Sequence, residues 1–399
     1  MAGNTAADRR GAEGGVMRER IDAGLMGLLG LLFGAVIIGA LRFGLPSAAP
    51  TPEAQSLAAV MGPTGDADEF ARVTGPRPLS FPADHGAHPD HRTEWWYFTG
   101  NLTSETGEDY GFQLTLFRTA LAPESPERAS DWATRQVWMG HFAVTDLGAG
   151  EHRAAERYQR GALGLAGATT RPVRVWMDDW QIRSEGPDRL FPLQVEASDP
   201  ANGIAIDLAI DADKPHVLQG ERGYSQKGED PANASRYYSY TRLAAEGTVS
   251  FANTAASVTG SAWLDREWST SALDASQAGW DWFALQLADG RDLMVYRLRR
   301  NDGSTDRHSA GILVGPDGES RRLAADDFRL TAERYWESPR TGSRYPVAWR
   351  LQLPGEGMEL SVEARLDDQE MPTTVRYWEG AVAVTGSAEG VGYLEMTGY

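Results

Sequence analysis

The segment EWWYF at residues 94–98 places an acid among aromatic side chains. Alternate residues of a strand share a face, which groups Glu94 with Trp96 and Phe98 and leaves Trp95 and Tyr97 on the other side. If the face of Glu94 is interior, burial raises its pKa and keeps it protonated, as a general acid for alkene hydration requires. The tryptophan faces would then stabilise a carbocation. The structural alternative is that the tryptophans fill the bottom of a barrel while Glu94 pairs with Arg92 or Arg266.

A second acidic segment, DREW at residues 265–268, carries Asp265 and Glu267 on one strand face and Arg266 on the other. Two neighbouring carboxyl groups permit acid and base catalysis, because one can stay neutral while the other orients water. A salt-bridged clamp between two domains explains the same residues equally well. Four further side chains would line the ligand cavity with Trp95, Trp96 and Tyr97, and these are Arg266, Trp268, Trp280 and Trp282.

Three histidines, His85, His88 and His91, precede the first acidic segment and suggest a metal site only weakly. The HExxH spacing is missing and Pro89 prevents a shared helical face, so we predict no metal. His141 is interpreted as a core histidine with satisfied hydrogen bonds. The chain has no GxSxG, no Walker loop and no GxGxxG after a strand, which disfavours a serine hydrolase and predicts no nucleotide or other cofactor.

The composition of this 399-residue chain limits the classes of partner and of cofactor that it can have. The absence of cysteine excludes disulfides, iron–sulfur clusters, thiolate zinc sites and a lipidated cysteine. A formal charge of −18 disfavours nucleic acid, because phosphates would be repelled. The hydrophobic fraction of 41% and the 13 tryptophans are typical of a globular chain with a sizeable core.

The N-terminal part predicts a membrane anchor. Residues 23–41 form an uncharged apolar run that nearly matches a hydrocarbon core of about 30 Å. The arginines ahead of it predict a cytoplasmic segment over residues 1–22. Residues 42–78 are rich in Pro, Ala and Gly and predict a linker. We therefore expect a single-pass protein of the cell membrane with a periplasmic C-terminal part, and a signal peptide cleaved near Pro50 is the alternative.

Beyond residue 78 the chain predicts an all-β fold. Short segments alternate polar and apolar residues at strand spacing between turn signals. Residues 191–211 align without gaps on 345–365, and VTGSAWLDREW at 258–268 resembles VTGSAEGVGYLE at 384–395. We interpret this as two tandem antiparallel β-barrels, at residues 79–270 and 271–399. In each barrel the first strand should pair with the last, which sets Glu94 beside the strand of Asp265.

The motifs HPDHRTEWWYFTGNL at 88–102, AWLDREWS at 262–269, GWDWFALQL at 279–287 and GYLEMTGY at 392–399 resemble the AttH-like branch of the CrtC family. The resemblance implies two consecutive lipocalin-like (calycin) domains. Members of the family include carotenoid 1,2-hydratases, also called hydroxyneurosporene synthases. In bacteria, AttH-like proteins often accompany an ABC export system, and this implies an ABC transporter as partner.

These observations predict a membrane-tethered protein that binds a hydrophobic or amphipathic small molecule. The alternative is a hydro-lyase of the carotenoid 1,2-hydratase type, with Glu94, Asp265 and Glu267 as its catalytic acids. A structural scaffold without a sizeable cavity is a third class. Fold alone does not decide among them.

Overall fold

The computed structural model describes residues 55–56, 69–124, 129–270 and 273–399. The predicted cytoplasmic segment, the predicted anchor and most of the predicted linker lie outside these residues. Within the described residues, no helix combines the length and the apolar character needed to cross a membrane. Residues from Ala54 to Tyr399 belong to one compact unit.

The described residues form two antiparallel sheets and contain almost no helix. The first sheet comprises β2 Thr93–Ser104, β3 Asp109–Ala120, β4 Gln136–Asp146, β5 Glu151–Arg160, β6 Ala166–Thr170, β7 Val173–Met177, β8 Trp180–Ser184, β9 Leu193–Asp199, β10 Ile204–Ala212, β11 Val217–Leu218, β12 Tyr224–Gln226, β13 Ala234–Phe251 and β14 Thr254–Ser269. The second sheet comprises β15 Gln277–Leu287, β16 Asp292–Arg300, β17 Ala310–Val314, β18 Ser320–Ala324, β19 Arg329–Glu337, β20 Arg344–Leu353, β21 Met358–Ala364, β22 Val375–Gly386 and β23 Gly390–Thr397, with β1 Gln55–Ser56 parallel to β22. Three short 3₁₀ helices span Ala83–His85, Ala325–Asp327 and Pro354–Glu356.

Both sheets share one strand order, in which the first and last strands of each repeat pair in the middle, and the first sheet continues past β8 with β7 and β6. In the first sheet β2 pairs with β14, and in the second β15 pairs with β23. The predicted pairing of Glu94 with the strand of Asp265 is confirmed, since Glu94 lies opposite Trp268 and Tyr97 opposite Asp265. The hairpin β9–β10 and its counterpart β20–β21 contain the two aligned segments.

The first sheet curls into a near-barrel. Its edge strands are β5 and β6, which share no backbone ladder in the described part of the chain. Side chains of β5 bond the turn between β7 and β8 and strand β9 instead: Arg157 bonds Asp179 and the carbonyl oxygen of Ser198, and Gln159 bonds Asp178. The predicted complete closure is therefore corrected, because no backbone hydrogen bonds join the two edge strands among the described residues.

The central strands of each sheet are buried on both faces. The inner face of the first sheet packs into a core that includes Trp96, Phe98 and Trp268, and Phe283 and Trp349 belong to the corresponding core of the second sheet. The outer faces of the central strands meet each other between the sheets. Polar residues on these outer faces are therefore not solvated.

Candidate functional site

Glu94 lies in the interior of the first sheet and is fully buried. Its carboxylate accepts hydrogen bonds from Arg118, from Arg266 and from the backbone amide of His88, at 2.9 Å. Burial alone would raise its pKa, but the two guanidinium groups outweigh burial and hold the pKa of Glu94 well below its ordinary value. The predicted raised pKa of Glu94 is therefore wrong, and this carboxylate is no proton donor near neutral pH.

Aromatic rings complete this buried ion cluster. The guanidinium of Arg266 lies 3.8 Å from the ring centre of Trp96, and the ring of His88 stacks on Trp268 at 3.8 Å. Large side chains thus fill the end of the first barrel, where a cavity of only about 10 Å³ remains. The expected ligand cavity inside this barrel is replaced by a packed core.

The main cavity lies between the two sheets and has a volume of about 80 Å³. A single water needs on the order of 10–15 Å³ by the same measure, so the cavity holds several waters or a ligand group. Its polar lining consists of four acids, one lysine and several tyrosines, which include Asp265, Glu267, Glu379, Glu395, Lys227, Tyr97, Tyr237 and Tyr377. Its apolar lining includes Trp95, Phe117, Leu273, Trp280, Trp282 and Leu298.

Asp265 is a buried acid on the first-sheet side of this cavity. It accepts hydrogen bonds from the hydroxyls of Tyr237 and Ser239 and from the indole nitrogen of Trp263, the last at 2.7 Å. Burial raises its pKa to about 7, although these hydrogen bonds act in the opposite direction. Near neutral pH, Asp265 is therefore divided between its protonated and ionised forms.

Glu379 and Glu395 face each other across β22 and β23 on the second-sheet side. Glu395 accepts a hydrogen bond of 2.9 Å from the indole of Trp280, and burial raises its pKa to about 8. Burial and the neighbouring Glu395 raise the pKa of Glu379 well above its ordinary value. The hydroxyls of Tyr97 and Tyr377 lie beside the carboxyl group of Glu379 and act to lower its pKa, against burial and Glu395. Glu379 and these two tyrosines all line the cavity.

Lys227 and Glu267 form a buried ion pair at another part of the lining. The Nζ atom lies 3.5 Å from a carboxylate oxygen of Glu267 and 4.2 Å from the ring centre of Tyr296. Burial disfavours the ammonium, but Glu267 outweighs it and raises the pKa of Lys227. Lys227 therefore stays a cation.

The structure divides the residues predicted from sequence into two groups. The cavity is lined by Trp95, Tyr97, Asp265, Glu267, Trp280 and Trp282. The interior of the first barrel contains Glu94, Trp96, Arg266 and Trp268. The shared site of Glu94 with Asp265 and Glu267 is thereby corrected, because the two groups lie on opposite faces of the same strand pair.

Two of the three predicted histidines have side-chain hydrogen-bond partners, whereas the buried Nδ1 atom of His91 has none within the described residues. His85 bonds the hydroxyl of Tyr238 at 2.7 Å, and His88 lies between Asp84 and Glu94. Burial lowers the pKa of His91 to about 4. Across the described residues, no group of three or more His, Asp or Glu side chains is placed to hold a metal ion.

Sequence reasoning missed Lys227, Tyr237, Tyr377, Glu379 and Glu395. The internal repeat contained a signal for one of them. With a four-residue gap after the shared VTGSA, Leu264-Asp265 aligns on Leu394-Glu395. The strand register agrees, because Asp265 lies opposite Tyr97 and Glu395 lies opposite Trp282. Each repeat therefore contributes a carboxyl group at this position, and the two groups enter the cavity from opposite sides.

Together these groups are suited to proton transfer in a dry environment. Three carboxyl groups with raised pKa values border a space walled by tryptophan and tyrosine rings. A carboxylic acid that is neutral at pH 7 can give its proton to a substrate. The rings can stabilise the positive charge that follows.

A model of the AttH-like family matches residues 72–399. Among solved structures, the chain is similar to an AttH protein from Nitrosomonas europaea, with 36% identity and a TM-score of 0.74 over 83% of this chain and 100% of that one. It also resembles kievitone hydratase from Nectria haematococca, with 16% identity and a TM-score of 0.62 over 83% of this chain and 95% of that one, a likeness in fold alone. No curated protein is matched.

Proposed function

The chain belongs to the AttH-like family, and from this premise and its central cavity we propose that it is a hydro-lyase. Its substrate is a bulky apolar or amphipathic molecule, and water is added to a carbon–carbon double bond. The main support for this proposal is a set of three buried carboxyl groups that have raised pKa values and face an aromatic-walled cavity. They belong to Asp265, Glu379 and Glu395. The fold shared with kievitone hydratase supports the same reaction class.

The reaction begins with transfer of a proton from a carboxylic acid to one alkene carbon. Glu395 is suited to this step, because its pKa of about 8 keeps it protonated at neutral pH. Trp280, which bonds Glu395, and Trp282 on the facing strand flank the developing carbocation. Water then attacks the cation and forms the carbon–oxygen bond of the alcohol.

Isotope labelling tests this proposal. The purified chain is incubated with acyclic polyenes and prenylated phenols in ¹⁸O-labelled water, and labelled alcohol is measured by mass spectrometry. Glu395→Gln and Asp265→Asn should lower kcat by about 10²–10⁴-fold, because an amide has no dissociable proton. Glu389→Gln, an exposed acid before β23, is the matched control and should keep the wild-type rate. If Glu395→Gln and Asp265→Asn both formed labelled alcohol at the wild-type rate, this result would contradict the role of these residues as acids.

Ligand binding without catalysis is the second candidate, and the mainly apolar cavity wall favours it. In that case both amide variants bind the ligand as tightly as the wild type does, and none of the tested compounds gains label. Trp282→Leu should weaken binding by roughly 2–4 kcal/mol if the ring contacts the ligand. Its effect on folding is measured separately by circular dichroism.

We also propose that the chain acts outside the cytoplasm, tethered by residues 23–41 and serving an ABC export system. The sequence and the family resemblance support this part. A C-terminal reporter at Tyr399 tests the orientation, since it should be digested by protease added to spheroplasts. Protection of the reporter would contradict the orientation, and a mature N-terminus near Pro50 would contradict the anchor.

A further inference from the structure

We infer that Glu156 and His141 fix the Tyr377 hydroxyl as a proton acceptor towards the cavity, where it is the base for the attacking water. This inference rests on the proposed hydration and supplies the base that the reaction needs. Glu156 and His141 are positioning residues, and Tyr377 alone reaches the cavity.

The three residues form one hydrogen-bonded chain that crosses between the sheets. His141 on β4 lies opposite Glu156 on β5, and its Nε2 atom is 3.1 Å from a carboxylate oxygen of Glu156. Its Nδ1 atom is 2.8 Å from the hydroxyl of Tyr377 on β22. His141 has no exposed surface and Tyr377 has 1%, so the contact between them is shielded from water, whereas Glu156 is partly buried.

The direction of these hydrogen bonds follows from the charge of Glu156. Its carboxylate accepts from the amide and hydroxyl of Thr374 and from the hydroxyl of Tyr158. Burial acts to raise the pKa of Glu156, but the hydrogen bonds from His141 and Thr374 lower it to about 2, so it is ionised. Burial keeps His141 neutral by lowering its pKa. An ionised carboxylate only accepts, so Nε2 carries the proton and Nδ1 accepts the proton of Tyr377.

The first repeat contains a tyrosine at the same position with the opposite arrangement. Tyr237 lies two residues before Ser239, which pairs with Asp265, as Tyr377 lies two residues before Glu379, which pairs with Glu395. The Tyr237 hydroxyl donates its proton to Asp265. His141 instead draws the proton of Tyr377 away from the acids, which leaves the oxygen lone pairs of Tyr377 for the cavity.

A balanced step follows for the attack of water. As the water oxygen bonds the carbocation, a water proton passes to Oη of Tyr377 while the phenolic proton passes to Nδ1 of His141. The imidazolium is stabilised by the carboxylate of Glu156. The proton then returns through Tyr377 to the carboxylate left on the Glu379–Glu395 pair, so the net reaction is alkene plus water to alcohol.

The titratable groups near Tyr377 are Glu379 on its own strand, Glu395 on β23, Tyr97 on β2, and His141 and Glu156 on β4 and β5.

The kinetic test compares variants of the Glu156–His141–Tyr377 hydrogen-bond path with a variant of an ion pair that joins the two sheets outside the cavity. Tyr377→Phe should lower kcat by about 10²-fold or more with KM nearly unchanged, and Glu156→Gln should lower kcat in the same direction. Asp109→Asn is the matched control, because it breaks the 2.6 Å pair with Arg365 between the sheets but leaves the proton path intact. A purely structural role predicts equal losses of stability and unchanged kcat in all three variants, and that result would overturn the inference.

A nitrogen NMR measurement on histidine-labelled full chain tests the hydrogen-bond direction without any substrate. The Nδ1 resonance of His141 should be of the unprotonated type at pH 7 and should move downfield in Tyr377→Phe, which loses the donor. It should not move in Asp109→Asn. A proton on Nδ1 in the wild type would overturn the inference. If no compound is hydrated, the proposed function fails, whereas this spectrum still decides the arrangement of Tyr377.

Discussion

Replacement of Glu395 by glutamine should change the pH dependence of stability in a way set by its burial. The raised pKa means that the folded chain binds a proton which the unfolded chain releases, between the ordinary value of 4.5 and about 8. Stability is therefore fully present below pH 4.5 and falls as pH rises through 8. Between pH 5 and pH 8 the loss from this one group is about 3–4 kcal/mol. Glutamine has no such proton and should abolish that loss.

Urea unfolding followed by tryptophan fluorescence at pH 5 and pH 8 measures the effect. The free energy of unfolding of Glu395→Gln minus that of the wild type should be about 3–4 kcal/mol more positive at pH 8 than at pH 5. The comparison removes any cost of the substitution that does not depend on pH. Glu389→Gln should show no such difference, because this acid is exposed. An equal effect of Glu395→Gln at both pH values would refute the argument that Glu395 is protonated in the folded chain.

Three further substitutions, with Asp289→Asn as a control, test the packing that holds the site. Glu94→Gln should lower the free energy of unfolding by about 3–5 kcal/mol in urea titrations at pH 7, because two buried guanidinium groups lose their carboxylate. Asp292→Asn should cost a similar amount, since it weakens the buried 2.8 Å contact with Lys214 between the sheets, whereas the exposed Asp289→Asn should cost under about 1 kcal/mol. Gly140→Ala should lower stability by about 1–3 kcal/mol in thermal melts, because the added methyl would clash with side chains inside the first barrel.

Strand pairing was predictable from the sequence because the repeat fixed it. The alternation around Glu94 and Asp265 also separated the two faces of their strands correctly. The alternation could not show which strand face a ligand contacts. The outer face is buried only because a second sheet, formed by residues far along the chain, packs against it. Phe117 on the outer face of β3 appears in the sequence as an ordinary apolar strand residue, whereas Trp282 lines the cavity, as predicted.

The missed cavity residues fall into two physical classes. Lys227 follows the short strand β12 in a loop, where no periodicity predicts the direction of a side chain. Glu379 and Tyr377 belong to the strand segment YWEG, and only pairing with β23 places them beside Glu395. His141 has hydrogen-bond partners on both ring nitrogens, as predicted for a core histidine, but its partner Tyr377 is 236 residues away in the chain.

The position of the cavity follows from the duplication of one sheet. Each barrel interior is filled by large side chains, so room for a ligand arises where the outer faces of the two paired central strands meet. Equivalent positions of the two repeats then supply both walls, namely Tyr97 with Trp282, Asp265 with Glu395 and Tyr237 with Tyr377. Glu379 of the second wall corresponds to Ser239, which bonds Asp265. Divergence at this last position matters most, because a serine hydroxyl bonds Asp265 whereas a second carboxyl faces Glu395. Burial raises the pKa of Glu395 to about 8, and burial together with Glu395 raises the pKa of Glu379, so the second wall holds two acids that are protonated at neutral pH and is the side from which we expect the proton to be delivered.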